Sequence, residues 1–434
     1  MSDPDHENYG NHLTVEQVQS LSRPSKETVD AVHDWLLSNG IDRHRFGYSP
    51  AKDWVNVRLS IADAEALLDT KFRHYKHKDG TDFVRTLEYS IPAALHEHID
   101  TIQPTNSFAR ARRNHLDSIR VDDKKIVTTN FQNFNLAPAN TNGSVFAACG
   151  NGSRSITPNC LRTLYGTIDY QVQCPENNRV GITNYLGEVN NRSDTQIFLS
   201  RYRKDIDAAA AAQSFKQISI ADGTLQQSPN NASQNDAGTG LEGNLDIETV
   251  LGISYPTPVT SYSTGGSPPF IPDLRTTTNS NEPYLSWVQY MSTVSDEDLP
   301  FVISTSYGDD EQSVPEAYAR RVCSEFAHLG ARGVSLLFSS GDNGVGPSGG
   351  QCVSNNGKNI TQFLPSFPAS CPFVTAVGGT KIGNPNDPVQ PEVAARDVFR
   401  SGAVYTSGAG FSNYFKRPWY QRSESSNPAL RMFS

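Results

Sequence analysis

Two carboxylates stand four residues apart in the segment LEGNLDIETVLG at 241–252. On a helix this spacing places Glu242 and Asp246 on one face, where their like charges repel each other and one pKa rises. A carboxyl group with a raised pKa is a usable general acid or base. A bare pair of this kind is usually a solvated acidic surface. The glycine-rich turn before it and the apolar Leu245 and Ile247 around the aspartate favour a functional site.

A third carboxylate, Asp342, lies in the glycine-containing segment SSGDNGVG at 339–346. The segment follows an apolar run that ends at Phe338, and ligands of parallel sheets bind beyond the carboxyl ends of strands. The residues alone leave three roles open for Asp342: a metal ligand, a turn former, or an acid that donates a hydrogen bond to an oxyanion.

Histidines are unevenly distributed, because nine of the ten lie at or before residue 115. Only His328 is left as a base for a Ser-His-Asp triad in the C-terminal part. It stands on a predicted amphipathic helix, before Gly330, so we interpret it as structural. This distribution disfavours a histidine-dependent serine peptidase.

The C-terminal part has the pattern of an α/β fold. Short apolar runs at 301–304, 334–338 and 373–377 predict strands, and 314–329 predicts a helix between the first two. Continuous apolar strands separated by helices indicate a parallel sheet covered on both faces. Residues 223–240 are loop-like and lead into the helix that carries the two carboxylates.

Residues 1–118 predict a separate α+β domain. The expected elements are helices at 14–20, 27–38, 62–70 and 91–99, a strand at 54–61, and a hairpin formed by 71–77 and 81–88 around a turn at 78–80. Strand, helix, hairpin and helix in this order are typical of a ferredoxin-like fold. Residues 119–148 are rich in Asn, Thr, Ala and Gln, and predict an exposed linker with a processing site. The C-terminal α/β domain would then cover 149–434.

Cysteines and glycosylation sequons lie in the C-terminal part. The six cysteines allow up to three disulfides in an oxidising compartment, although six free thiols in a cytosolic protein stay an alternative. Five sequons begin at Asn142, Asn151, Asn191, Asn231 and Asn359. The net charge of -9 argues against nucleic acid as a partner, and the absence of a long apolar run argues against a membrane span. The polar N-terminus carries no signal-peptide pattern.

Several long motifs, in order, resemble the sedolisin (serine-carboxyl peptidase) family, most closely its fungal tripeptidyl-peptidase-like members. They are LEGNLD (241–246), ISTSYGDDE (303–311), GVSLLFSSGDNGVG (333–346) and FPASCPFVTAVGGT (367–380). The N-terminal part resembles the activation peptide of the family through Tyr9-Gly10, Leu13-Thr14, Asp53-Trp54-Val55 and Tyr89-Ser90-Ile91-Pro92. The start of the peptidase part resembles it through residues 156–162 and 164–165. The resemblance covers residues 9 to about 420.

The resemblance implies a subtilisin-like, mainly parallel sheet flanked by helices and preceded by the activation domain. It also implies that carboxylates replace histidine. Glu242 resembles the general base that takes the proton of the nucleophilic serine, and Asp246 the acid that orients Glu242. Asp342 resembles the oxyanion-hole residue, which must be protonated to donate. The resemblance further implies an acid peptidase zymogen that releases tripeptides from polypeptide N-termini, is secreted, and is inhibited by its own propeptide. A disulfide between Cys149 and Cys160 is expected from the resemblance and from their short spacing.

Two departures from the family pattern qualify this interpretation. The Gly-Thr-Ser-Ala-Ser type motif of the nucleophile is not present, and Ser304-Thr305-Ser306 lies on an earlier strand and does not match it. The calcium site of the family is expected beyond Ser434. We therefore expect a sequence truncated at both ends, an incomplete sheet, and no activity from these 434 residues by themselves. An endopeptidase of the same family and a non-catalytic remnant stay as alternatives.

Overall fold

The computed structural model describes residues 1, 3–76, 82–106, 149, 156–273, 279–346, 352–383, 391–398 and 404–421. The helices of this part of the chain are α1 (Val15–Leu21), α2 (Lys26–Ser38), α3 (Ile61–Leu67), α4 (Pro158–Leu164), α5 (Arg192–Tyr202), α6 (Ala208–Ser214), α7 (Ala232–Asp236), α8 (Leu241–Ser254), α9 (Tyr284–Met291) and α10 (Glu316–Ala331). Short 3-10 turns occur at Arg43–Arg45, Ala93–Leu95, Pro175–Asn177, Glu311–Ser313 and Trp419–Gln421.

The strands are mostly short. They are β1 (Phe46–Tyr48), β2 (Val55–Val57), β3 (Arg73–Lys76), β4 (Asp82–Arg85), β5 (Val180–Asn184), β6 (Lys216–Ile220), β7 (Val259–Thr264), β8 (Val302–Thr305), β9 (Asp309–Asp310), β10 (Ser335–Ser339), β11 (Ser366–Phe367), β12 (Thr375–Val377), β13 (Thr380–Lys381), β14 (Val393–Ala394), β15 (Arg396–Val398) and β16 (Val404–Thr406).

The chain divides into two compact units. One comprises Met1–Ala111, Gly266–Leu299 and Gln312–Val334, and the other Arg112–Gly265, Pro300–Glu311 and Ser335–Ser434. The predicted linker at 119–148 lies outside the described residues, so the domain boundaries stay a prediction.

The second unit contains a parallel sheet of six strands in the order β12-β10-β8-β5-β7-β6. This confirms the predicted α/β sheet flanked by helices. Helices α5, α6 and α8 pack on it through a fully buried apolar cluster that includes Ile182 and Val259 from the strands, Leu199 and Leu251 from α5 and α8, and Phe215 directly after α6. Each such side chain contributes about 2 kcal/mol by leaving water.

The first unit begins with the predicted α+β region. Helices α1, α2 and α3 start at Thr14, Ser25 and Ser60, whose hydroxyl oxygens accept backbone N–H groups of the first turn. Strands β1 and β2 form one antiparallel pair, and β3 and β4 form the predicted hairpin, in which Lys76 pairs with Asp82. The turn at 78–80 lies outside the described residues.

Two predicted elements of this region differ most from the structure. The strand predicted over 54–61 is confined to β2, because Ser60 already caps α3. The helix predicted over 91–99 is wrong: only the 3-10 turn Ala93–Leu95 forms. Leu95 is the one buried side chain of that turn, and a helix this short needs more packing than that to persist.

Polar contacts join the N-terminal region to later segments of the same unit. The backbone N–H of Leu13 donates to the carbonyl of Ala331 on α10 at 2.8 Å. Arg321, also on α10, forms an ion pair with Asp53 and lies over the ring of Trp54 at 5.2 Å. These contacts tie the region to α10.

The cysteines partly follow the prediction. Cys149 and Cys160 form the expected disulfide, with an S–S distance of 2.03 Å. Cys323 and Cys371 are also disulfide-bonded, whereas Cys174 and Cys352 are free thiols. No helix in the part of the chain that the structure describes is long and apolar enough to cross a bilayer.

Candidate active site

The candidate site lies at the carboxyl edge of the parallel sheet. Central strand β8 pairs with β5 on one side, where Ser304 is opposite Ile182, and with β10 on the other, where Thr305 is opposite Phe338. The segments that leave these three strands therefore emerge side by side, as expected for ligand sites of parallel sheets.

The N-terminus of α8 is fixed by a buried carboxylate. Glu188, in the loop after β5, is 1% exposed, and its Oε2 accepts the backbone N–H groups of Gly240 and Gly243 at 3.0 Å each. Gly240 has a φ of +89° at the N-cap, a conformation that favours glycine. Glu188 thus sets where the first turn of α8 begins.

Close backbone packing explains the glycine inside the LEGNLD motif. A Cβ on Gly243 would lie 2.4 Å from the carbonyl oxygen of Val189, which no real side chain tolerates. The buried Asn190 donates to the carbonyl of Gly243, and its Oδ1 accepts hydrogen bonds from the side chains of Asn184 and Ser261. The helix is therefore fixed against the end of β5 and the middle of β7, one residue from Glu242.

Asp246 lies one turn after Glu242 and is held by a hydroxyl group. The Oγ of Ser306, immediately after β8, donates to Oδ1 of Asp246 at 2.7 Å. Oδ2 is buried and has no hydrogen-bond partner among the described residues. Burial raises the pKa of Asp246 to about 7, and the hydrogen bond from Ser306 offsets part of that rise. The sequence argument expected a raised pKa from charge repulsion, whereas the main cause in the structure is burial.

The remaining surface of α8 divides into three faces. Ile247 and Leu251 face the core, whereas Leu241 and Leu245 are exposed beside the half-buried Glu242. On another side, burial and the nearby charge of Asp194 raise the pKa of Glu248 to about 7. Glu242 and Asp246 do share one face of the helix, as their spacing predicts.

Asp342 is half-buried in the loop after β10. Its carbonyl accepts the N–H of Thr406 at 2.8 Å, and the preceding Gly341 has a φ of +94°. Burial and the charges of Asp342 and Asp397 raise the pKa of the Tyr405 phenol. The charge of the Asp342 carboxyl group is therefore close enough to the Tyr405 ring to raise the pKa of its phenol. Its role at an oxyanion stays a prediction.

Sequence reasoning missed three polar residues of this region. It set Ser306 aside because the surrounding residues do not match the motif of the nucleophile. Its position one residue beyond a buried parallel strand is the signal that would have marked it. Glu188 and Glu311 were not singled out. Glu311 is fully buried and accepts hydrogen bonds from the hydroxyl of Ser412 and from the backbone of Asn413 and Tyr414.

His328 was interpreted as structural, and its contact agrees with that interpretation. Its Nδ1 lies 3.0 Å from Oε2 of Glu325 on the same helix, α10. Burial raises the pKa of Glu325, but the bond from His328 and the charges of Arg321 and His328 outweigh it and hold the pKa below its usual value. Among the described residues, no cluster of His, Cys, Asp and Glu is arranged to hold a metal ion.

Comparison with known proteins agrees with the sequence resemblance. The family described as "Pro-kumamolisin, activation domain" matches residues 1–108. Tripeptidyl-peptidase SED4 of Arthroderma otae is 37% identical over 425 residues, which are 97% of this chain and 62% of that protein. Probable tripeptidyl-peptidase SED3 of Arthroderma benhamiae is 38% identical over 427 residues, which are 97% of this chain and 63% of that protein.

A solved Pseudomonas sedolisin, a serine-carboxyl proteinase in complex with pseudo-iodotyrostatin, is 21% identical, with a TM-score of 0.43. The match covers 64% of this chain and 68% of that one.

These findings define a chain whose N-terminal part matches an activation domain, whose later part contains the six-stranded parallel sheet, and which is similar to tripeptidyl-peptidases over 97% of its length. The sequence resemblance to the sedolisin family, and to its fungal tripeptidyl-peptidases, is confirmed. The chain spans somewhat less than two thirds of the length of these curated relatives, 62% and 63%.

Proposed function

We propose that this chain supplies the activation domain and the carboxylate part of the active site of an acid serine peptidase that releases tripeptides from the N-termini of polypeptides. The observation that carries the proposal is the alignment of 97% of the chain with tripeptidyl-peptidases. The carboxyl edge of the sheet adds support, because Glu242, Asp246 and Asp342 stand on the segments gathered there.

In this proposal each of the three carboxyl groups has a separate role in the reaction. Glu242 takes the proton of a nucleophilic serine as that serine attacks the scissile carbonyl carbon, and later returns it to the leaving amine. Asp246 is neutral at acidic pH and orients Glu242 by a hydrogen bond. Protonated Asp342 donates to the oxyanion of the tetrahedral intermediate. The serine would come from outside these 434 residues, because no motif in the sequence matches it.

Acidic working conditions follow from the same groups. Asp246 has a pKa of about 7, so it carries its proton below that pH. An oxyanion donor of the carboxylic acid type works only while it is protonated. We therefore expect activity to fall as the pH rises toward 8.

Activation by propeptide cleavage, an extracellular location and calcium binding are also part of the proposal. The activation domain at 1–108 would inhibit the peptidase until a cut within 119–148 releases it. The disulfide between Cys149 and Cys160 supports an oxidising, extracellular location. A calcium site is proposed beyond Ser434.

The test uses the product of the full transcript, assayed at pH 3–8 with a tripeptidyl p-nitroanilide that has a free amino terminus and with its N-acetylated counterpart. Glu242→Gln is expected to lower kcat by at least 100-fold. Glu248→Gln, on the same helix, is the matched control and is expected to keep activity. Equal cleavage of the acetylated substrate would favour an endopeptidase. Full activity at pH 8, or an active Glu242→Gln variant, would contradict the proposal.

A further inference from the structure

The contact between Ser306 and Asp246 joins two distant parts of the chain at the carboxyl edge of the sheet. Ser306 follows β8, which is hydrogen-bonded to a neighbouring strand on both sides. Its hydroxyl is therefore carried by the residue that directly follows a strand paired on both sides. Asp246 stands on α8, which Glu188 and Asn190 fix against the end of β5. Both partners are thus held by rigid elements.

Ser306 is also the only hydrogen-bond partner of the Asp246 carboxyl group among the described residues. The Ser306 hydroxyl donates to Oδ1 at 2.7 Å. The buried Oδ2 has no hydrogen-bond partner among the described residues. An oxygen that accepts a hydroxyl proton is the poorer site for the proton of a neutral carboxylic acid. The proton therefore belongs on Oδ2.

We propose that Ser306 is a positioning residue of the peptidase site: its hydroxyl holds Oδ1 of Asp246, so that the neutral acid carries its proton on Oδ2 and offers it to Glu242. This inference rests on the function proposed above. Ser306 itself transfers no proton and forms no bond to substrate in this role.

Other titratable groups surround the same helix and strand ends. They are Glu242 and Glu248 on α8, Glu188 after β5, Asp194 on α5, Asp309 and Asp310 after β8, and Asp342 after β10. A test must therefore follow Asp246 individually.

Carboxyl-¹³C-labelled aspartate in the 434-residue chain allows this, with Asp246→Asn assigning the signal. The wild-type midpoint is expected near pH 7. Because a hydrogen bond to the charged form is lost, Ser306→Ala is expected to raise the midpoint by about one pH unit. Ser306→Thr is expected to restore it, and Ser306→Cys, a weaker donor, to give a smaller rise.

Thr305→Val is the matched control. Thr305 is buried one residue earlier, and its hydroxyl accepts from Thr183 at 2.8 Å rather than contacting Asp246. This variant loses a hydroxyl of the same strand and is expected to leave the midpoint unchanged. An unchanged midpoint in Ser306→Ala, or an equal rise in Thr305→Val, would overturn the inference.

Two further measurements separate this inference from the proposed function. In the product of the full transcript, Ser306→Ala is expected to lower kcat with little change in KM. If that product released no tripeptides while Ser306→Ala still raised the midpoint, the proposed function would be wrong and the hold of Ser306 on Asp246 would stand. Covalent labelling of Ser306 by a serine-directed phosphonate would overturn the positioning role, because Ser306 would then be a nucleophile.

Discussion

Replacing Asp246 by Asn removes one titrating carboxyl from the buried part of α8 and keeps its shape. In the folded chain burial raises the pKa of Asp246 from an ordinary 3.8 to about 7. A folded pKa above the unfolded one means that the folded state binds the proton more tightly. The stability from this group is therefore fully present below pH 4 and is lost as the pH rises toward 7.

The size of the effect follows from the same shift. A rise from 3.8 to about 7 corresponds to about 4 kcal/mol between pH 4 and pH 8. Asn cannot ionise, so Asp246→Asn is expected to be more stable than the wild type by up to this amount at pH 8. At pH 4, where both side chains are neutral, the two proteins should differ little.

Urea unfolding followed by circular dichroism from pH 4 to pH 8 measures the difference. Glu297→Gln, which removes an exposed carboxyl, is the control and is expected to leave the pH dependence of the wild type unchanged. Parallel stability curves for the wild type and Asp246→Asn across this range would refute the reasoning, because burial would then cost the charged form nothing.

Three further substitutions test other contacts. Gly243→Ala is expected to lower stability by about 2 kcal/mol, visible as a lower Tm, because its Cβ would meet the Val189 carbonyl at 2.4 Å; an unchanged Tm would mean that the backbone yields easily. Arg321→Ala leaves the half-buried Asp53 without its counter-charge and is expected to cost about 3 kcal/mol, with faster hydrogen exchange around Asp53 as the readout. Exchange at the wild-type rate would contradict it. Glu311→Gln replaces one acceptor oxygen by a donor and is expected to cost about 2 kcal/mol and to loosen the segment at 412–414, again measured by hydrogen exchange.

The strands that could be predicted from the sequence are those whose residues form continuous apolar runs. The runs at 301–304 and 334–338 became β8 and β10. Strands β5 and β7 escaped notice because their buried residues include Thr183, Asn184, Ser261 and Ser263. Several of their polar groups bond to residues outside their own strand: Thr183 donates to Thr305, and Asn184 and Ser261 donate to Asn190. A local pattern does not contain those partners.

The candidate site shows the same limit. The spacing of Glu242 and Asp246 was enough to place them on one helical face. The cause of the raised pKa of Asp246 was not predictable, because it depends on burial and on a hydroxyl 60 residues away. The requirement for glycine at Gly243 likewise follows from the approach of the Val189 backbone.

The disulfide at the start of the peptidase-like region has a consequence for maturation. Cys149 is bonded to Cys160 on α4, with a sequence separation of 11. Any cut within the predicted linker creates a new amino terminus that lies at or before Cys149 in the chain. That terminus stays tethered to a helix that is capped by Thr157 and packs against α8 through the contact of Pro158 with Gly252. If the cut lies close to Cys149, the mature chain begins with an end that the disulfide holds, and an exopeptidase, including a second copy of the enzyme itself, would find little free length there to trim.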